Sequence, residues 1–197
     1  MHVELIRYTP DPEELIAEAY GICTDKPTIP LENIPGLIQK GHLSPIEHPT
    51  ATFRIAGISR ACSHQLVRHR LASFSQRSQR YVTEDDWVPV MPNTIADDDP
   101  APEDHRSTAS EVFSAFMDDT KKTYERLRDY GIPDEDARFV LPNATPTEMM
   151  MSCNFREWLY IVQLRGTEHA QWEIREVVAR VHKQLSEIAP NVFGTVT

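Results

Sequence analysis

Cysteine is scarce in this sequence, and the three present are not spaced for metal or disulfide chemistry. Cys23, Cys62 and Cys153 are far apart and form no C-x-x-C pair, which argues against a zinc ribbon and against a disulfide framework. No apolar run approaches the roughly 20 residues that a membrane helix needs. The opening residues Met1-His2-Val3-Glu4-Leu5 lack the basic-then-apolar pattern of a signal peptide. The expectation is a cytoplasmic protein with no membrane partner. There are no internal repeats and no low-complexity tract. No H-E-x-x-H occurs, and His64 and His69 are five apart rather than the four that stacks two imidazoles on one helix face. No metal site is expected.

Acid is abundant overall but missing from one stretch. The formal net charge of −10 counts against a general nucleic-acid binder, which needs a positive field to collect phosphates. Yet no Asp or Glu falls between His48 and Thr83, where Arg54, Arg60, Arg68, Arg70, Arg77 and Arg80 all lie. Six guanidiniums without a carboxylate among them would repel one another unless something anionic sat between them. A focused site for a small anion is expected.

What remains is ordinary for a globular protein: 197 residues, 40% hydrophobic and 25% charged, enough to bury a core. Residues 3–8 read as a strand. Asp11 followed by Pro12 reads as the N-cap and first position of a helix. A second helix is expected over 31–40, closed by Gly41. A strand over 51–58 alternates Phe53 and Ile55 with Thr52 and Arg54, and Ser59 can cap a helix over 60–69. Residues 71–80 are rich in Ser, Gln and Arg and read as a shaped loop. Residues 89–103, rich in Pro and Asp, read as exposed, with Asp97-Asp98-Asp99 solvated. A long helix over 107–130 carries an apolar face of Val112, Phe113, Phe116, Met117, Tyr124 and Leu127. A short helix from 134, a strand over 148–153 and helices over 155–165 and 168–188 complete the chain. Trp158 and Trp172 are expected in packing, and Cys62 as a buried structural thiol. Few strands with several helices give an α+β class.

The segment with chemical content is RHRLASFSQRSQRY, which opens at Arg68. Arginine presents a planar fork to phosphate, and Ser hydroxyls with loop N–H groups complete an anion cradle. A solvated basic turn would have the same composition, so composition alone leaves both readings open. A Ser78 nucleophile with His69 as base lacks a third, orienting group.

Arg68-His69-Arg70, then seven residues, then Ser78 resembles the signature of the flavin-dependent thymidylate synthases, an α+β family that works as a homotetramer. Further segments follow in the family's order: Ser44-Pro45-Ile46-Glu47-His48, Ala137-Arg138-Phe139-Val140-Leu141-Pro142, Asn154-Phe155-Arg156, Leu164-Arg165 and Glu168-His169-Ala170-Gln171. Together they cover most of the chain. The resemblance implies a central, mostly antiparallel sheet with flanking helices, with residues 1–197 forming a single domain. The implied reaction is reductive methylation of dUMP to dTMP. Methylenetetrahydrofolate would give the one-carbon unit, and FAD reduced by NADPH would give the hydride.

Carried over position by position, the resemblance places Thr50, Arg68, His69, Arg70, Asn154, Arg156 and His169 on FAD. Gln65, Arg68, Gln76, Ser78, Gln79, Arg80 and Arg138 would hold dUMP, chiefly through its phosphate and sugar. The catalytic candidates are His48, similar to a family histidine near the flavin ring, and Arg165, which would face the uracil. Two positions depart from the pattern: Gln76 stands where some members carry Glu, and Tyr160 where others have Asn or His. The family does not attack the base through an enzyme cysteine. A guanidinium at Arg165 would instead stabilise charge on the ring as N3 ionises. The competing classes are a noncatalytic nucleotide-binding protein and a module gripping single-stranded nucleic acid.

Overall fold

Strand β1 (His2–Tyr8) leads into helix α1 (Pro12–Ile22), then a 3-10 turn (Leu31–Asn33) and helix α2 (Ile34–Gln39). After a second 3-10 turn (Ser44–Glu47) come strand β2 (Thr50–Ser59), helix α3 (Arg60–Leu66) and strand β3 (Ser73–Gln76). Helix α4 (Ala109–Asp129) and helix α5 (Asp134–Ala137) precede strand β4 (Pro146–Asn154). Helices α6 (Phe155–Arg165), α7 (Trp172–Ile188) and α8 (Pro190–Phe193) follow. These elements come from a computed structural model that describes residues 1–95 and 106–194. The expected acidic run Asp97-Asp98-Asp99 lies outside the described residues. Among those described, four strands in one sheet of order β1-β2-β4-β3 and eight α-helices make the fold α+β, as expected. No helix among them is long and apolar enough to cross a membrane.

The described chain divides into two compact units. The first comprises Met1–Ala56, Gln65–Ser75 and Met149–Thr197. Its centre is set by alternation along β2, which buries Ala51, Phe53 and Ile55 and turns Thr52 and Arg54 the other way. Val3 on β1 pairs antiparallel with Ile55, and the register shifts between Leu5 and Arg7, leaving Ile6 as the extra residue of a bulge. Thr52 and Ser152 join β2 to β4 through their hydroxyls at 2.8 Å. Trp158 of α6 packs edge-on against Phe53, with ring centres 5.1 Å apart, and its indole N–H donates to the Ala51 carbonyl at 3.0 Å. This meets its expected packing role.

The outer edge of β1 is covered by a side chain. Gln184 of α7 accepts from the Leu5 N–H at 2.9 Å and donates to the Val3 carbonyl at 3.1 Å, supplying what a neighbouring strand would. The buried Glu13 carboxylate accepts from both the backbone and the side-chain nitrogen of Asn191, tying α1 to the start of α8.

The second unit comprises Gly57–His64 and Gln76–Glu148. Its long helix α4 opens with a capping box: Thr108 accepts from the Glu111 N–H at 3.2 Å, and the Glu111 carboxylate accepts from the Thr108 N–H at 2.8 Å. Met117, Thr120 and Tyr124 are buried, but Val112 and Phe116 are 60% and 61% exposed, so the apolar face is only partly covered.

Three local expectations are corrected. Asp11 has a left-handed backbone (φ 44°, ψ 55°) rather than the extended one usual at an N-cap, and its side chain caps nothing. Helix α3 stops at Leu66, so Arg68-His69-Arg70 lie in a turn beyond it, held by the His69 N–H on the Leu66 carbonyl at 3.1 Å. Residues 73–76 of the expected loop form β3, the edge strand of the sheet. Elsewhere α7 starts four residues later than expected, where the Gln171 side chain accepts from the Glu173 and Ile174 N–H groups.

Candidate active site

Helix α6 organises the first unit's candidate residues. Its N-cap is Asn154, whose side-chain oxygen accepts from the Glu157 N–H at 2.9 Å. That uses one lone pair of the oxygen and leaves the amide NH2 as a donor for a ligand. Arg156 pairs with Glu47, both half-exposed. Asn154 and Arg156 lie on the wall of a cleft of about 680 Å³ that Leu43, Glu47, Leu71, Glu157, Leu159, Tyr160 and Gln163 also line. Its walls combine three leucines and the Tyr160 ring with polar and charged side chains. Of the residues assigned to FAD, the cleft brings together only Asn154 and Arg156. His48, Arg68, Arg70 and His169 are exposed and are not in its lining, nor is Thr50, whose N–H donates to Thr9 Oγ1 at 3.0 Å. Gln65, at the end of α3, is half-buried.

His69 sits differently from its two arginine neighbours. Only 4% of it is exposed. Arg165, the last residue of α6, donates its Nε–H to His69 Nε2 at 3.2 Å. On the other side of the ring, Nδ1 lies 3.6 Å from the Glu157 carboxylate. The Tyr160 ring stands edge-on to the imidazole, with centres 6.2 Å apart. Burial, and then the neighbouring Arg165 charge, hold the His69 pKa below its ordinary value. Burial raises that of Glu157. Burial thus works against charge on both groups, which stand 3.6 Å apart. The resemblance places His69 on FAD; both of its ring nitrogens face protein groups. Glu157 was missed by the sequence reading, because an acid in the first turn of a helix is ordinary.

The second unit holds Gln76, Ser78, Gln79, Arg80 and Arg138. Gln76 donates from its amide to Ser63 Oγ at 2.9 Å and to Thr147 Oγ1 at 3.2 Å. Ser78 Oγ accepts from the Arg80 N–H at 3.2 Å. Arg80 and Arg138 meet at one residue: Arg80 Nε donates to the Glu135 carboxylate at 2.9 Å, and Arg138 Nε to the Glu135 carbonyl at 3.0 Å. Gln79 is buried beside Glu84, with its amide nitrogen outside ordinary hydrogen-bond geometry.

The inference of unneutralised guanidiniums needs correction here. Arg77 lies 3.6 Å from the buried carboxylate of Glu84, and Arg80 pairs with Glu135, so acids from outside the acid-free stretch reach arginines within it. Burial raises the Glu84 pKa, and Arg77 and Arg60 oppose that rise. Arg60 in turn is lowered by burial, with Glu84 acting against it and Arg138 adding to it.

A separate cavity of about 650 Å³, lined by Tyr20, Cys23, Lys26, Lys40 and His42 among others, contains none of the expected site residues. Of the thiols, Cys62 and Cys153 are buried and Cys23 is exposed, which meets the structural role expected of Cys62.

Residues 4–191 match the family described as thymidylate synthase complementing protein. A protein of Geobacter sulfurreducens named flavin-dependent thymidylate synthase is 40% identical over 98% of this chain and 85% of its own length. Proteins of the same name from Thermococcus kodakarensis and Clostridium tetani are 39% and 33% identical, each over 97% of this chain and over 80% and 84% of their own lengths. With the signature segments in order along almost the whole chain, the protein is an enzyme of the flavin-dependent thymidylate synthase family.

Proposed function

We propose that the enzyme converts dUMP to dTMP, with FAD reduced by NADPH and with methylenetetrahydrofolate as one-carbon donor. The observation that carries this reading is the near-complete match to relatives of that name. The cleft along α6 suits it: Leu43, Leu71 and Leu159 offer apolar wall, while Asn154 and Arg156 offer donors to an anionic cofactor. Arg68, Arg70, Thr50 and His169 are assigned to the same cofactor on the resemblance, with His48 near its ring. Bound and reduced, FAD supplies the hydride.

The protein's own part is positioning and electrostatics. Ser78, Arg80 and Arg138 bind the nucleotide phosphate, where forked guanidiniums and a hydroxyl match its oxygens. Gln65, Gln76, Gln79 and Arg68 complete the nucleotide contacts. Arg165 faces the uracil ring and stabilises the charge that develops as N3 ionises. Its guanidinium stays protonated, so it does so without taking part in proton transfer. No thiol attacks the base. Burial, and then the Glu157 charge, keep Cys153 protonated, and Cys62 is fully buried.

In this reading residues 1–197 form one synthase domain, acting in the cytoplasm as a homotetramer. The exposed Val112 and Phe116, one turn apart on α4, support a subunit interface. The test is tritium release from dUMP labelled at C5, with and without NADPH, FAD and methylenetetrahydrofolate. Release that requires both the folate and reduced flavin is expected. A folded, flavin-loaded protein that releases none would overturn the assignment.

A further inference from the structure

Resting on that reading of Arg165, we propose that Glu157 is a positioning residue for Arg165, acting through His69, whose imidazole it fixes in the one tautomer that can accept the Arg165 Nε–H. Glu157 and Arg165 belong to the same helix, and eight residues of α-helix rise about 12 Å, too far for direct contact. His69 bridges them from the turn after α3. That turn is itself fixed, by the His69 N–H on the Leu66 carbonyl at 3.1 Å and the Ala72 N–H on the His69 carbonyl at 3.2 Å.

The tautomer follows from the chemistry of the partners. Arginine donates and never accepts, so the ring nitrogen it meets at 3.2 Å must carry a lone pair. A neutral imidazole accepting at Nε2 carries its proton on Nδ1. That N–H then faces the Glu157 carboxyl oxygen at 3.6 Å, a favourable dipole alignment rather than a formed hydrogen bond. The opposite tautomer would set two N–H groups head to head at Arg165 and a bare lone pair against a carboxylate. The imidazolium would also oppose two donors at Arg165. With Nε held by His69, both Nη groups of Arg165 remain as a fixed fork. Glu157 also lines the α6 cleft, so one carboxyl group borders the flavin pocket and governs the cation assigned to the uracil.

The experiment pairs imidazole nitrogen NMR with kinetics. In wild-type protein the His69 signal should be that of the neutral ring protonated at Nδ1, with or without flavin. Glu157→Leu should mix the tautomers and lower kcat by on the order of 10- to 100-fold, as small misplacements of catalytic groups do. Rates are taken per bound flavin, so that any loss of cofactor is separated from the loss of kcat. Glu157→Gln keeps an acceptor facing Nδ1 and should restore both the tautomer and most of the rate. In an Arg165→Ala background, Glu157→Leu should cost no further rate. The proposal is overturned if wild-type His69 is protonated at Nε2. Unchanged tautomer and rate in Glu157→Leu, or an undiminished loss in the Arg165→Ala background, would do the same. If wild-type protein releases no tritium, the functional reading fails by itself, and the NMR result still decides whether Glu157 sets the tautomer.

Discussion

Arg165 and His69 are 96 residues apart in the chain and meet through a single hydrogen bond, the Arg165 Nε–H to the His69 Nε2 lone pair at 3.2 Å. This bond uses the one guanidinium N–H that is not part of the terminal fork. Arg165→Lys therefore removes both the bond and the fork, and is not a conservative change. Arg165→Ala should keep its flavin and lose about 3 kcal/mol of transition-state stabilisation, roughly the effect of deleting one oxyanion donor. Arg165→Lys should recover little of it. Steady-state kinetics with flavin absorbance checks both, and near-normal turnover in Arg165→Ala would remove this residue from the mechanism.

The same pair sets a pH dependence of stability. Burial, followed by the Arg165 charge, holds the folded pKa of His69 below its ordinary 6.5. Between the two values the unfolded chain binds a proton that the folded protein refuses. Stability from this group is therefore complete above pH 6.5 and declines as pH falls through 6.5 towards the folded value. Glu157 runs the opposite way: burial raises its pKa, so its contribution is present at low pH and is lost as pH rises through the raised value. On acidification from about pH 7.5 to about 5.5 the melting temperature of wild-type protein should fall further, or rise less, than that of His69→Gln. Parallel curves for the two proteins would show that His69 titrates normally.

Much of this was legible in the sequence where local chemistry decides structure. Helix α6 ran from residue 155 to 165 as expected because a good N-cap, Asn154, precedes an apolar face. Strand β3 was not legible: Ser73-Phe74-Ser75-Gln76 has little strand propensity and becomes a strand only by pairing at the edge of the sheet. The arginine partners were hidden for a similar reason. Glu135 reaches Arg80 across 55 residues, so an acid-free stretch of sequence is not an acid-free region of space. The signature motif drew attention to His69, but nothing near it in the sequence points to Glu157.

Asn154 carries two roles that substitution can separate. Its oxygen caps α6 through the Glu157 N–H at 2.9 Å, while its NH2 is the group assigned to the flavin. Asn154→Asp keeps the cap acceptor and removes the donor. It should unfold in urea like wild type but retain less flavin on gel filtration. Asn154→Ala loses the cap as well and should cost about 1 kcal/mol of stability. An Asp variant with full flavin content would leave Asn154 with the cap alone.

By the resemblance, Gln76 stands where some family members would carry Glu, and its surroundings say what each residue can do there. It donates to Ser63 Oγ and Thr147 Oγ1, and Ser63 Oγ in turn donates to the Arg60 carbonyl at 2.9 Å. Gln76→Leu strands these buried hydroxyls and should lower unfolding free energy by about 1–3 kcal/mol. Gln76→Glu can accept from Thr147 but brings a second acceptor to Ser63, whose proton is already committed. It should destabilise less than Leu at neutral pH, and less again in mild acid, where a protonated carboxyl can donate as the amide does. Chemical denaturation at two pH values tests the order; equal losses for both variants would mean that the network carries no stability.

The thiols offer the sharpest contrast with enzymes that attack uracil through cysteine. Cys62 has no exposed surface and Cys153 only 6%, while Cys23 is exposed. A thiol reacts as its thiolate, and burial raises the Cys153 pKa, with the nearby Glu157 charge adding to the rise. Iodoacetamide on the native protein should modify Cys23 alone, as mass spectrometry of the digest would show, and all three only after denaturation. Because no step uses a thiol, the singly alkylated enzyme and Cys23→Ser should both release tritium from labelled dUMP at the wild-type rate. Rapid native labelling of Cys62 or Cys153 with loss of turnover would return a cysteine to the reaction and displace Arg165 from its central place in it.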